Sequence, residues 1–221
     1  MKAHAAAGFQ QFVVSGWRRG DRWLVYVVGL VPAVYVFYQG FTDQLGADPL
    51  QVLEHTLGLW ALRFLVLGLA VTPLRRSAGL NLIRYRRAFG LLAFIYASLH
   101  VLVYVVLDQG LHWQAIWEDI VKRPYITVGL LAFVTLVPLA VTSNNWMVRR
   151  LGAAAWQSLH RWAYVAALAG ALHFVMLVKA WPPEPLIYLG LVVGLLLWRV
   201  VISLTARTGE LRSPAPPRGQ R

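Results

Sequence analysis

The sequence predicts an all-α integral membrane protein of six transmembrane helices, with both termini on the cytoplasmic side. Three observations lead there. Of 221 residues, 58% are hydrophobic and 14% charged, at a mean hydropathy of +0.57, whereas a soluble domain is roughly 45–50% apolar and 25% charged. Six apolar runs are each long enough to cross a hydrocarbon core of about 30 Å, which takes about 20 helical residues. The basic residues, 21 Lys+Arg against 9 Asp+Glu, gather in short clusters on alternate sides of those runs, as the positive-inside rule requires. Clusters of this kind, rather than one basic face, argue against nucleic acid as the partner of the net positive charge and for the lipid bilayer.

The runs lie at 23–41, 52–73, 87–107, 125–141, 156–178 and 186–205. Backbone groups in lipid find partners only within their own segment, so each run is a helix, with Pro32 and Pro138 as expected kinks. The first run lacks a small-residue cleavage site and has the length of a full span, so it reads as a helix rather than a cleaved signal. One side carries Lys2, Arg18, Arg19 and Arg22, then Arg75, Arg76, Arg84, Arg86 and Arg87, then Arg149, Arg150 and Arg161, then Arg207, Arg212, Arg218 and Arg221. The other side carries Asp43, Asp48, Glu54, Asp108, Glu118, Asp119 and Glu184, against Lys122, Arg123 and Lys179. The chain divides into a cytoplasmic N-terminal segment, 1–22, a membrane domain, 23–205, and a tail, 206–221, whose "SPAPPRGQR" predicts disorder. Trp113, Trp117, Tyr125, Trp146, Trp156 and Trp181 fall near span ends, as an aromatic belt does.

The chain has no cysteine, which excludes disulfides, thiolate metal sites, iron–sulfur clusters and a covalently attached c-type haem. It has no G-x-G-x-x-G or Walker-type loop, and the spans leave no room for a nucleotide-binding domain. A source of reducing equivalents therefore has to be lipid-soluble or a separate polypeptide.

Histidines inside the spans point to chemistry. His100 lies about 20 Å from the arginine-rich end of the third span, and His173 lies about 20 Å beyond His160 in the fifth, at 1.5 Å per residue. His100 and His173 thus share a depth, in the outer half of the bilayer. Two neutral imidazoles facing each other across a bundle suit the two axial positions of a b-type haem. Any one such histidine also has an ordinary role as a hydrogen-bonded packing residue, and the matched depth is what favours iron. At about 100° per residue, His160 points some 140° away from His173 and need not serve the same site. His55, at the outer start of the second span, is either an interfacial residue or a contact of a cofactor or quinone. Arg63, two turns deeper, sits where a charge costs at least ~2.5 kcal/mol, and calls for an anionic partner such as a haem propionate or a flavin phosphate. Tyr104, Trp162 and Tyr164 are candidate pocket residues whose alternative is packing, and His4 and His112 read as surface residues.

The runs "LGADPLQVLEHTLGLWALRFLVLGLAVTPLRR", "RRAFGLLAFIYASLHVLVYVVLD", "KRPYITVGLLAF" and "LAVTSNNWMVRRLGAAAWQSLHRWAYVAALAGALHF" resemble the haem-binding membrane subunits of bacterial periplasmic protein-methionine-sulfoxide reductase systems, over roughly residues 23 to 200. The resemblance implies a ferric-reductase-like transmembrane domain in the bacterial inner membrane. Such a domain takes electrons from the quinone pool and passes them through b-type haem (heme b) to a periplasmic molybdopterin catalytic subunit, which repairs oxidised methionines. It implies haem histidines at His100, His160 and His173, and flavin mononucleotide (FMN) as a further cofactor. The wider ferric reductase and NADPH oxidase group pairs two histidines on each of two helices. Here the inner counterpart of His100 falls near Arg86 or Arg87, so His160 is left to a second haem with another ligand, or to a quinone.

The expected function is that of an electron-transfer subunit rather than a catalytic one. Two rivals remain: a stand-alone ferric or cupric reductase, and a transporter or proton channel that uses the intramembrane His and Arg residues. Transporters often carry broken helices or inverted repeats, and the sequence displays neither.

Overall fold

The computed structural model describes residues 21–178 and 182–212, with side chains over 23–178 and 182–205. The basic residues Lys2, Arg18 and Arg19, together with His4, Lys179 and Trp181, lie outside the described residues. So does the tail beyond Arg212.

The described residues form helices joined by short turns. We number them α1 (Asp21–Phe41), α2 (Pro49–Ser77), α3 (Arg86–Leu102), α4 (Trp113–Lys122), α5 (Pro124–Val141), α6 (Asn145–Leu151), α7 (Ala153–His160), α8 (Ala163–Leu177) and α9 (Pro183–Arg212). A 3₁₀ turn, Ile83–Tyr85, leads into α3, and a π-helical stretch, Val103–Asp108, prolongs it. Among the described residues, five segments are long and apolar enough to span a membrane: Trp23–Phe41, Pro49–Ser77, Ile83–Asp108, Pro124–Val141 and Pro183–Thr205.

The expected single helix over 156–178 is divided. α7 and α8 meet at Arg161 and Trp162, where Arg161 N–H bonds to Ser158 O at 3.2 Å, Trp162 N–H to Leu159 O at 3.0 Å and Tyr164 N–H to Arg161 O at 3.0 Å. Each bond reaches back three residues, so the junction is a tight 3₁₀ turn and the backbone stays satisfied through it. α9 runs to Arg212, past the expected start of the tail at 206.

Three spans open on a proline, Pro49, Pro124 and Pro183, because the first position of a helix has no use for an N–H and favours the fixed φ of proline. Asp48 caps α2 by accepting from Gln51 N–H at 3.3 Å. Inside α1, Pro32 breaks the ladder, and Tyr96 of α3 mends it. The Tyr96 hydroxyl accepts from Ala33 N–H at 3.0 Å and donates to Gly29 O at 2.7 Å. A side chain thus stands in for the bond those two groups make in a straight helix.

α2 packs on α3 and α5 on α8, while α3 also touches α5; α1 lies on α2 and α3, and α9 on α8 and α2. α8 approaches its neighbours closely because Ala166, Ala167, Ala169 and Ala171 face inward, the small-residue packing usual between membrane helices. Large apolar side chains turned outward, among them Val27, Val31 and Val34 of α1 and Val134, Val137 and Val141 of α5, give the bundle a surface suited to lipid rather than water.

Candidate functional site

The acidic loops lie at one end of this bundle and the arginine clusters at the other. Toward the acidic end, His100 of α3 and His173 of α8 come together with ring centroids 6.2 Å apart and planes at 75°. Each is held by the same device. His100 Nδ1 lies 2.9 Å from the carbonyl oxygen of Glu54, and His173 Nδ1 lies 2.7 Å from that of Tyr125. A carbonyl only accepts, so Nδ1 carries the proton in both rings and Nε2 keeps its lone pair. A bond of this kind, on the nitrogen turned away from a metal, both selects the tautomer and fixes the ring plane of a metal-binding histidine.

Room for the rings comes from glycine. Gly58 stands four residues after Glu54 on α2, and a Cβ placed there would lie 3.3 Å from His100 Nδ1; Gly129 stands four residues after Tyr125 on α5, and a Cβ there would lie 2.7 Å from His173 Nδ1. Four helices therefore build the pair: two supply imidazoles, and two supply a carbonyl followed one turn later by a glycine. The glycines were not among the residues singled out from the sequence. Their signal is the repeated spacing Glu54-x-x-x-Gly58 and Tyr125-x-x-x-Gly129, which becomes meaningful only once each carbonyl's partner is known.

The spacing suits two imidazoles that would share one metal ion. With imidazole–metal bonds of about 2 Å and about 1.1 Å from ring centre to nitrogen, two such rings would have centroids about 6 Å apart. The observed 6.2 Å, the two free Nε2 atoms and the two glycine cradles agree with that requirement.

The other expected residues fall elsewhere. His160, at the end of α7, stacks on Trp156 at 3.9 Å and 26°, and its Nε2 lies 3.0 Å from Thr142 Oγ1. Thr142 donates its own proton to Pro138 O at 2.7 Å, so Nε2 of His160 is the donor and differs in tautomer from the other two. His55 is exposed and edges the pair, its ring 5.5 Å from that of Phe174. Arg63 finds two partners on α9, where Nε donates to Tyr188 Oη at 2.8 Å and Nη2 lies 3.9 Å from Glu184 Oε1, and on its own helix the guanidinium sits 4.8 Å above the Trp60 ring. Its long side chain climbs toward the acidic end, as snorkelling allows, where Glu184 is an anionic neighbour. Tyr104 is engaged by Asp119 at 2.9 Å, Trp162 points outward, and Tyr164 accepts from Arg199 at 2.8 Å.

Arg199 is a charged residue inside the last span that the sequence reading passed over. It ties α9 to α8 through Tyr164 and to α2 through Leu69 O at 2.9 Å and Thr72 Oγ1 at 3.2 Å. Its rarity as an intramembrane cation was the available signal.

Comparison with known proteins agrees with this architecture. A family model described as "Ferric reductase like transmembrane component" matches residues 57–171. The chain is 57% identical over 202 residues to the protein-methionine-sulfoxide reductase heme-binding subunit MsrQ of Brucella anthropi, covering 91% of this chain and 90% of that one. It is 56% identical over 199 residues to the proteins of the same name from Brucella ovis and Brucella melitensis, covering 90% of this chain and 88% of each. On identity of this extent, the chain belongs to the MsrQ family of ferric-reductase-like membrane proteins.

Proposed function

We propose that this chain is the haem-carrying electron-transfer subunit of a methionine sulfoxide reductase system, with His100 and His173 as the two axial ligands of a b-type haem. The observation that carries the reading is their paired geometry, with matched depth, a 6.2 Å centroid separation and both Nδ1 atoms tied to helix carbonyls. The names of the relatives speak for haem and for a sulfoxide reductase. Bound there, haem supplies a one-electron carrier. The residues of this chain do the rest: Glu54 O and Tyr125 O aim the rings, Gly58 and Gly129 admit them, and the surrounding bundle keeps water out. Ligand orientation and burial are the levers by which such a site sets its potential.

The finer parts of the reading follow from charge and from the resemblance. The arginine-rich end faces the cytoplasm, which puts both termini there, counts α7 and α8 as one bent span of six, and turns the acidic end and the histidine pair toward the periplasm. A quinol of the inner membrane is the donor, and a molybdopterin catalytic subunit at the acidic end is the acceptor. His160 belongs to a separate site near the arginine-rich end. Flavin mononucleotide rests on the resemblance alone.

The test is a dithionite-reduced minus oxidised visible spectrum of detergent-purified protein, with haem measured as the pyridine haemochrome. A low-spin b-type band at stoichiometric haem is expected. Folded protein made with ample haem that carries none removes the proposal.

A further inference from the structure

We infer that the lipid-facing groove between α1 and α2 is where quinol is oxidised; this rests on the donor proposed above and gives it a location. The groove, about 410 Å³, is lined by Val31, Pro32, Tyr35, Gln39, Thr56 and Trp60 among others. It opens on the face of α1 where Val31 and Tyr35 are more than half exposed, so its occupant arrives through the bilayer. An acyl chain asks for no hydrogen bonds, yet three polar side chains line this otherwise apolar wall. Gln39 in the last turn of α1 donates to Tyr35 Oη at 3.3 Å, and Thr56 faces them from α2. A quinol has the complementary chemistry: two hydroxyls on an aromatic ring, with an isoprenoid tail that stays in lipid. Sites for such ligands are mostly apolar with a few polar groups that fix orientation.

The back wall leads to the histidine pair. Trp60 closes the groove, its ring 6.3 Å from Tyr96 and 5.7 Å from Phe64. Trp60 stands two residues along α2 from Gly58, against which the His100 imidazole rests. Residues two apart face nearly opposite sides of a helix, so the route to His100 runs through Tyr96, whose ring lies 6.3 Å from that of Trp60 and which stands one turn before His100 on α3.

The reaction balances with nothing added. The quinol becomes quinone and gives up two electrons and two protons. A haem held by His100 and His173 would take the electrons one at a time and hand each to the reductase subunit; the protons leave past Gln39 and Tyr35 to water at the acidic end. Two electrons and two protons convert one sulfoxide to a thioether and water. Because oxidation and reduction occur on the same side, no net charge crosses the bilayer.

The experiment uses the haem-loaded protein. A short-chain azidoquinone is photo-crosslinked and the labelled peptides mapped, and stopped-flow reduction of the haem by decylubiquinol is followed in wild type, Gln39→Leu and Thr56→Val. Label within 31–39 or 52–60 is expected, with quinol-driven reduction about tenfold slower in each variant, the loss of one hydrogen bond to the ligand. The dithionite-reduced spectrum and haem content stay at wild-type values; if one variant loses haem, the other carries the comparison. In proteoliposomes an imposed membrane potential leaves the quinol-driven rate unchanged, whereas an electron drawn across most of the bilayer would respond to it. Label elsewhere, wild-type rates in the variants, or a potential-dependent rate overturns the location while leaving quinol as donor. A fully haem-loaded wild type that no quinol reduces overturns the donor itself, and the groove with it.

Discussion

Alanine at Gly129 is the sharpest perturbation of the histidine pair. The new Cβ would stand 2.7 Å from His173 Nδ1, 3.0 Å from Cε1 and 3.1 Å from Cγ. Ordinary contact begins near 3.4 Å, so the ring must retreat by about 0.7 Å, the difference between 3.4 and 2.7. The imidazole is no free side-chain end, because Nδ1 is tied to Tyr125 O at 2.7 Å. Moving it breaks that bond or pulls Nε2 off the metal axis, and metal–ligand distances tolerate only about ±0.2 Å. Alanine at Gly58 is the internal control: its Cβ meets His100 Nδ1 at 3.3 Å, which asks for a shift of about 0.1 Å. Alanine is also the better helix former by up to about 1 kcal/mol, so weakening of the helix itself does not explain a loss. The assay is haem content by pyridine haemochrome together with the low-spin signal by electron paramagnetic resonance. Gly129→Ala should lose most of the bis-imidazole signal, while Gly58→Ala keeps full haem with a small shift in potential. Full haem and a wild-type spectrum in Gly129→Ala, or equal damage in both variants, would refute the cradle argument.

Replacing His100 or His173 by alanine abolishes the same signal in difference spectra, whereas His160→Ala leaves it intact because His160 is turned to Thr142. Arg63→Gln breaks the bond to Tyr188 and the contact with Glu184, lowering stability by about 1–2 kcal/mol in equilibrium unfolding while the haem spectrum stays unchanged. A lost spectrum would return Arg63 to the cofactor. Tyr96→Phe strands Ala33 N–H and Gly29 O in a buried setting, at about 2 kcal/mol or more. Unfolding within 0.5 kcal/mol of wild type, measured against the usual scatter of about ±0.5 kcal/mol for neutral substitutions, would show that α1 repairs its own ladder.

The spans were legible because hydropathy averages over about 20 residues, and the pairing of His100 with His173 because helical rise converts sequence position into depth. What escaped was set by contacts between helices. Arg161 and Trp162 carry no glycine or proline to mark the turn between α7 and α8, and the apolar average runs straight through it. Arg63 was placed at the depth of its Cα, but its partners Tyr188 and Glu184 lie more than 120 positions away, and a long side chain is not confined to its own level. Gly58 and Gly129 look like any glycines of a membrane helix until the imidazoles opposite are seen. The π-helical stretch beyond His100 gives no periodic signal in so short a segment.

The hydroxyl of Tyr96 bears on how this molecule can be taken apart. The matched family region begins at residue 57, and by that measure α1 is a segment open to shortening or exchange. Yet α1 borrows a backbone hydrogen bond from α3 at Pro32, and α3 carries His100 one turn beyond Tyr96. Removing α1 would leave a phenol reaching into hydrocarbon without a partner, and grafting another helix in its place would require a gap in that helix at the matching height. A portable unit has to keep α1 and extend beyond the matched region at both ends, because Glu54 and His173 lie outside residues 57–171.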